Sequence, residues 1–160
     1  MNSIRIQPAG ESDIADLADM VGALLTEIME HSGVNAFQFD QTATAERAKA
    51  WIAEEKYWAF IAKASDSDQS IGVITLYRSH ALYAEGEFGT IAELYVKPKW
   101  RSQEIGEALL NKAVTFAQTQ GWQRLEVTTP PLPEFSRTLA FYQTRQFDIS
   151  GGRKLRRNIG

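Results

Sequence analysis

The chain has 160 residues, 44% of them apolar and 23% charged, with a formal net charge of −3 and no cysteine. That is enough chain for one globular domain with its own core, and the charge gives no general basis for nucleic-acid binding. The lack of cysteine excludes disulfides, thiolate metal ligands and a cysteine nucleophile, and with only His31 and His80 present a dedicated zinc site is not expected.

Residues 3–7 read as a first strand, closed by Pro8 and Gly10. The opening segment lacks the basic-then-apolar pattern of a signal peptide. No apolar run reaches the roughly 20 residues needed to span a bilayer, so a cytoplasmic location is expected. Ser12 or Asp13 can cap a helix whose apolar face carries Ile14, Leu17, Val21, Leu24, Leu25 and Ile28. A loop follows over residues 31–40. Thr42 or Thr44 can cap a second helix reaching about Glu55, with Ala48, Trp51 and Ile52 facing inward. Residues 57–64 and 71–77 read as a hairpin around the turn Asp66-Ser67-Asp68-Gln69. Residues 80–88 read as a loop or irregular extension. Residues 124–128 form a further strand, and Pro130, Pro131 and Pro133 forbid regular structure after it. Ser136 can cap a short helix through about Thr144. Residues 147–149 and 154–159 read as final strands around Gly151-Gly152.

Between these elements lies the most informative stretch, residues 91–116. Leu94 to Val96 is a buried-strand pattern stopped by Pro98, and Ile105, Leu109, Ala113 and Phe116 recur at helical spacing. Gly121 closes this helix. Lys97, Lys99, Arg101 and Gly106 occupy the turn. A turn feeding a helix N-terminus presents free N–H groups and the positive end of the helix dipole, which suits phosphate or pyrophosphate. An ordinary connection with solvated lysines fits the same pattern.

The segment resembles motif A of the GNAT N-acetyltransferase family, in which a six-residue turn, R/Q-x-x-G-x-G/A, wraps the pyrophosphate of acetyl-CoA. Here the turn is Arg101-Ser102-Gln103-Glu104-Ile105-Gly106, flanked by Val96-x-Pro98 and by Leu109-Leu110. Arg101 and Gly106 match. Glu104 stands where the family usually has its first glycine. It is tolerated if its side chain faces solvent, and strained if the position needs positive φ. The resemblance covers nearly the whole chain. It implies a single GNAT-like domain over residues 1–160, of the α/β (α+β) class. The expected sheet is mixed, mostly antiparallel and six- to seven-stranded, flanked by about four helices, with a splayed parallel strand pair between which pantetheine lies.

The resemblance also implies roles for residues. Main-chain groups of Leu94, Tyr95 and Val96 would hold the acetyl and pantetheine end, and residues Arg101, Ser102, Gln103, Glu104, Ile105 and Gly106 the pyrophosphate. Ser136 falls near a CoA-contacting position of the family, although a helix cap explains it as well. Phe141-Tyr142 and Phe147 fit the family pattern F-Y-x-x-x-G-F, with Gln146 in place of glycine. This makes Tyr142 the candidate general acid for the CoA thiolate; a packing tyrosine is the alternative. Glu93, on the motif A strand, is the candidate base: a carboxylate there can take an amine proton through water, bind a cationic substrate, or point to the far face. Glu85, Glu87, Glu93 and Glu134 would make an acidic mouth suited to a cationic amine, with His80, Tyr83 and Phe88 as further lining. Trp100 would pack on the turn or on adenine.

The expected function is transfer of the acetyl group of acetyl-CoA to a primary amine of a small molecule, by direct attack on the thioester. The alternatives are a non-catalytic CoA-binding sensor or partner-binding module, and an acetyltransferase acting on a protein N-terminus or lysine. Acetyl-CoA and an amine acceptor are the expected partners, with no metal, nucleic acid or membrane; a homodimer is left open.

Overall fold

A computed structural model describes residues 3–35, 37–84, 86–130, 132 and 134–160. The chain divides into two units, Met1–Thr128 and Thr129–Gly160. The first unit is a five-stranded sheet in the order β1-β2-β3-β4-β5, built from β1 (Ile4–Pro8), β2 (Tyr57–Ala64), β3 (Ser70–Ala81), β4 (Gly86–Val96) and β5 (Leu125–Val127), with helices α1 (Ile14–Ser32), α2 (Gln41–Ala53) and α3 (Ile105–Thr119). The second unit holds α4 (Ser136–Gln143). All neighbouring strands are antiparallel except β4 and β5, which run parallel and are joined through α3. Among the described residues no helix is long and apolar enough to cross a membrane.

Both faces of the sheet are covered, which is why β2 and β3 read as nearly continuous apolar runs rather than alternating ones. On one face Ile14, Leu17, Met20 and Val21 of α1 and Ala48 of α2 pack with Ala59, Ile61, Val73 and Tyr95. On the other, Phe116 of α3 meets Trp58, Phe60 and Trp122 at ring-centroid distances of 5.3–5.6 Å, near the edge-to-face spacing that aromatic rings favour. Gly72 sits beneath α3: a Cβ there would lie 3.1 Å from Leu109 Cδ1 and 3.1 Å from the Tyr95 carbonyl. The bare backbone lets the first turns of α3 settle onto the sheet beside the end of β4. Gly121 (φ 78°) ends α3 in the left-handed region, and Trp122 N–H closes the cap on Ala117 O at 3.0 Å. One buried ion pair ties α1 to the sheet, Lys63 Nζ to Asp13 Oδ1 at 2.7 Å.

Several expectations change. The sheet has five strands rather than six or seven, because residues 147–149 and 154–159 form no strand. Their apolar residues are largely bare, with Ile149 at 70%, Leu155 at 90% and Ile159 at 87% exposure, so no buried face fixes a register there. Residues 80–88 are not an irregular extension: β3 runs to Ala81 and β4 begins at Gly86, paired as a hairpin. Arg78 and His80 reach the Glu87 carboxylate across it, at 3.0 and 3.2 Å. The cap of α2 is Asp40, whose carboxylate accepts Ala43 N–H at 2.8 Å, and not a threonine. Trp51 is 40% exposed rather than turned inward. Pro131 and Pro133, expected to stiffen the segment after β5, lie outside the described residues.

A candidate acetyl-transfer site at the end of strand β4

The pairing of β5 with β4 stops at Ile91↔Val127, while β4 runs on to Val96. At the same point the β3–β4 register shifts: Thr75 pairs with Glu93 and Leu76 with Ile91, so Ala92 is an extra residue without a partner. Such a bulge bends and twists its strand, and here it coincides with the end of the parallel pairing. Past it, Lys97 N–H donates to Ile71 O at 2.9 Å. Main-chain groups alternate along an antiparallel strand, so Tyr95 also turns toward β3, while Leu94 and Val96 face the side that β5 has left. Val96 C=O accepts Arg101 Nε at 2.9 Å. Among the described residues the Leu94 N–H and C=O and the Val96 N–H have no strand partner. Within the expected trio of Leu94, Tyr95 and Val96, the Tyr95 main chain is paired with β3 and its ring is in the core.

A 3-10 turn, Pro98–Trp100, leads from β4 into α3. Ser102 and Glu104 both take φ of 64°, and turns that include left-handed residues are the kind of backbone that can form anion-binding concavities. Among the described residues no hydrogen bond uses the N–H groups of Ser102, Gln103, Glu104, Ile105 or Gly106. Together with the positive end of α3 they form a concave donor set fit for an oxyanion or pyrophosphate. Glu104 therefore occupies a position that favours glycine, with its side chain exposed and without a hydrogen bond. Gln103 is exposed and its amide reaches only Lys99 O, at 3.4 Å.

Arg101 does something other than expected. Its guanidinium grips Glu27 of α1 through two bonds of 2.9 and 2.7 Å, holds Val96 O, and lies 5.4 Å from the centre of the Tyr95 ring. It fastens the turn to β4 and α1. Trp100 is half-buried, lining a cleft of about 440 Å³ with Asp16, Asp19, Tyr95, Lys97 and Lys99.

Glu93 lies on the α1/α2 face of the sheet. Tyr57 donates its hydroxyl to Glu93 Oε1 at 2.7 Å, and Thr75 donates to the same oxygen. Thr75 Oγ1 also accepts Glu93 N–H at 3.0 Å. Among the described residues no lysine, arginine or histidine pairs with this carboxylate, and Oε2 has no protein donor. Burial, and then the charge and hydrogen bond of Glu93, push the Tyr57 hydroxyl far above the usual tyrosine range, so it stays protonated and can donate to the carboxylate. Tyr57 and Thr75, which hold this carboxylate, are residues that sequence reasoning missed. The Tyr57 ring meets Trp51 at 5.5 Å and stacks with Tyr77 at 6.1 Å.

The acidic mouth does not assemble as expected. Glu87 is held by Trp122 Nε1 at 2.8 Å and by Arg78 and His80, which keep its carboxyl below the usual range. It also lies about 20 Å from Glu93 along the strand, at roughly 3.3 Å per residue. Phe88 is core at 4% exposure, and Tyr83 is exposed beside Arg124. Glu85 lies outside the described residues, and Glu134 belongs to the second unit, where it is exposed. In that unit Tyr142 is buried, with the Phe141 and Phe147 rings at 5.2 and 5.3 Å. Burial raises its pKa and keeps the proton on the hydroxyl. Gln146 takes φ of 72° and Phe147 N–H caps Tyr142 O at 3.1 Å, so glutamine fills a glycine-type helix exit. Ser136 begins α4 and makes no capping bond. No cluster of three or more His, Cys, Asp or Glu among the described residues could hold a metal.

Comparison with known proteins agrees with this geometry. No curated protein matches the sequence significantly. Among solved structures, a possible acetyltransferase from Clostridium difficile 630 superposes with a TM-score of 0.77 at 15% identity, covering 98% of this chain and 99% of that one. A predicted acetyltransferase from Clostridium acetobutylicum, solved with acetyl-CoA, gives 0.76 at 17% identity and 96% of each chain. An aminoglycoside acetyltransferase from an uncultured soil metagenomic sample, solved with sisomicin, gives 0.71 at 16% identity, covering 98% of this chain and 95% of that one. At such identities these likenesses establish the fold. The family profile described as Acetyltransferase (GNAT) family matches residues 25–147, which include α3 and all strands but β1, and the chain belongs to that family of acyltransferases.

Proposed function

We propose that the protein transfers the acetyl group of acetyl-CoA to a primary amine of a small molecule. One observation carries the reading: a half-buried carboxylate with no counter-ion among the described residues, Glu93, sits at the bulge where β4 parts from β5 and exposes its main-chain edge.

In this account the N–H groups of Ser102, Glu104, Ile105 and Gly106 hold the pyrophosphate, and Arg101 holds the turn in shape. The N–H and C=O of Leu94 and the N–H of Val96 align the pantetheine arm as an added strand would. Glu93 Oε2 receives the amine as an ammonium and takes its proton, directly or through a water, while Tyr57 and Thr75 fix the other oxygen. The neutral amine attacks the thioester carbonyl: a C–N bond forms, the nitrogen sheds its surplus proton to solvent, the C–S bond breaks as the tetrahedral intermediate collapses, and the thiolate takes a proton. We assign that proton to Tyr142 on its sequence context, the hydroxyl being restored from solvent. The uncommitted backbone donors support the CoA assignment, and the acetyl-CoA and aminoglycoside complexes of the structural neighbours are compatible with donor and acceptor.

Calorimetry with acetyl-CoA tests the donor half. Gly106→Asp adds a carboxylate to the first turn of α3, and in a protein whose circular dichroism is unchanged binding should weaken by about tenfold or more. Equal affinity of the two proteins would remove the turn from the site.

A further inference from the structure

We propose that the acceptor is a primary amine on an aromatic or bulky apolar skeleton, with no carboxylate beside the nitrogen. The inference rests on the reading of Glu93 as the amine's anchor and specifies what surrounds it. Tyr57 connects the carboxylate to the rings: its hydroxyl is on Glu93, and its ring touches Trp51 and Tyr77. Tyr57 and Tyr77 are a cross-strand pair, and Tyr77 is two residues from Thr75 on the same face of β3. Trp51 and Tyr77 are 40% and 38% exposed. A surface of indole and phenol rings thus leads outward from one unpaired carboxylate. Ring faces carry negative quadrupole charge, so they attract an ammonium and its polarised CH groups and pack on flat apolar carbon.

The same surroundings disfavour other amines. An amino acid would bring its carboxylate within a few ångströms of Glu93, and no basic side chain among the described residues pairs with Glu93 to neutralise it. A small hydrophilic amine would leave the rings wet. The rings therefore discriminate by carbon skeleton, and the lone carboxylate by charge.

The test compares ethylamine, phenethylamine and phenylalanine as acceptors for the full-length protein with acetyl-CoA, reading kcat/KM for each. Phenethylamine should exceed ethylamine by about tenfold, the scale of one or two aromatic contacts to a cation-bearing ligand. It should exceed phenylalanine by at least a similar factor, since the two differ only in the carboxylate. Trp51→Ala or Tyr77→Ala should shrink the phenethylamine-to-ethylamine ratio toward one, and Trp51→Phe or Tyr77→Phe should restore much of it. Equal use of ethylamine and phenethylamine, or ready acetylation of phenylalanine, would overturn the inference while leaving amine acetylation in place. Acetylation of none of the three and of no other amine would overturn both.

Discussion

Glu104 sits where the turn needs a left-handed residue, and replacing it with glycine separates two effects. An L-residue at φ 64° carries on the order of 1–2 kcal/mol of strain that glycine lacks. Against this, glycine costs about 0.4–1 kcal/mol through the freer unfolded chain, and loss of an acidic group at a helix N-terminus forfeits about 0.3–1 kcal/mol. The side chain is exposed and makes no hydrogen bond, so no contact is lost. The three contributions nearly cancel, and Glu104→Gly should shift the melting temperature by less than about 3 °C in a domain of this size. Binding does not cancel. A carboxylate about 4 Å from a phosphate oxygen costs about 1 kcal/mol even in water, so calorimetry should show acetyl-CoA bound about fivefold more tightly, by an amount that shrinks with salt. Glu104→Gln keeps the left-handed strain but drops the charge, and should give the affinity gain without the conformational relief. A tenfold loss of affinity in a folded Glu104→Gly protein would refute the reasoning, because Glu104 would then make a contact that the ligand needs.

Two further outcomes follow from named groups. Burial alone would raise the Asp13 pKa, but Lys63 and the Gly10 N–H outweigh it and hold the carboxyl below its ordinary value. The stability it contributes is present above an ordinary aspartate pKa of about 3.9 and is lost as the pH falls through the lower folded value. Lys63→Met should cost about 3–5 kcal/mol in urea unfolding at neutral pH, since it strands a buried charge, and adding Asp13→Asn should recover part of that and flatten the acid limb. Tyr142→Phe should lower kcat by about 10²-fold with acetyl-CoA affinity unchanged, checked by steady-state kinetics beside calorimetry; unaltered kcat would return Tyr142 to a packing role.

The β4–turn–α3 unit was legible because its signals are local: a strand stopped by proline, a basic turn, and an apolar stripe closed by Gly121. The departure at Glu104 could be framed as a question about φ, which the backbone answers with a left-handed residue there, and Gln146 proves left-handed too. What stayed hidden depends on distant residues meeting. The grip of Arg101 on Glu27 joins positions 74 apart, and the Tyr57–Glu93 bond joins positions 36 apart. A lone tyrosine at a strand start carries no mark of either. The bulge at Ala92 is a mismatch between two strands and belongs to neither sequence alone. Glu87 misled because spacing along a strand does not reveal which acid is already paired. The last strands failed because period-two apolar residues predict a strand only where something covers them.

The most direct test is transfer itself. Purified protein incubated with acetyl-CoA and primary amines, phenethylamine among them, should yield the N-acetyl product by mass spectrometry with one equivalent of free CoA thiol. Glu93→Gln should lower kcat/KM by about 10²-fold or more while leaving acetyl-CoA affinity intact. Binding of acetyl-CoA without acetylation of any amine, or full activity in Glu93→Gln, would contradict the account.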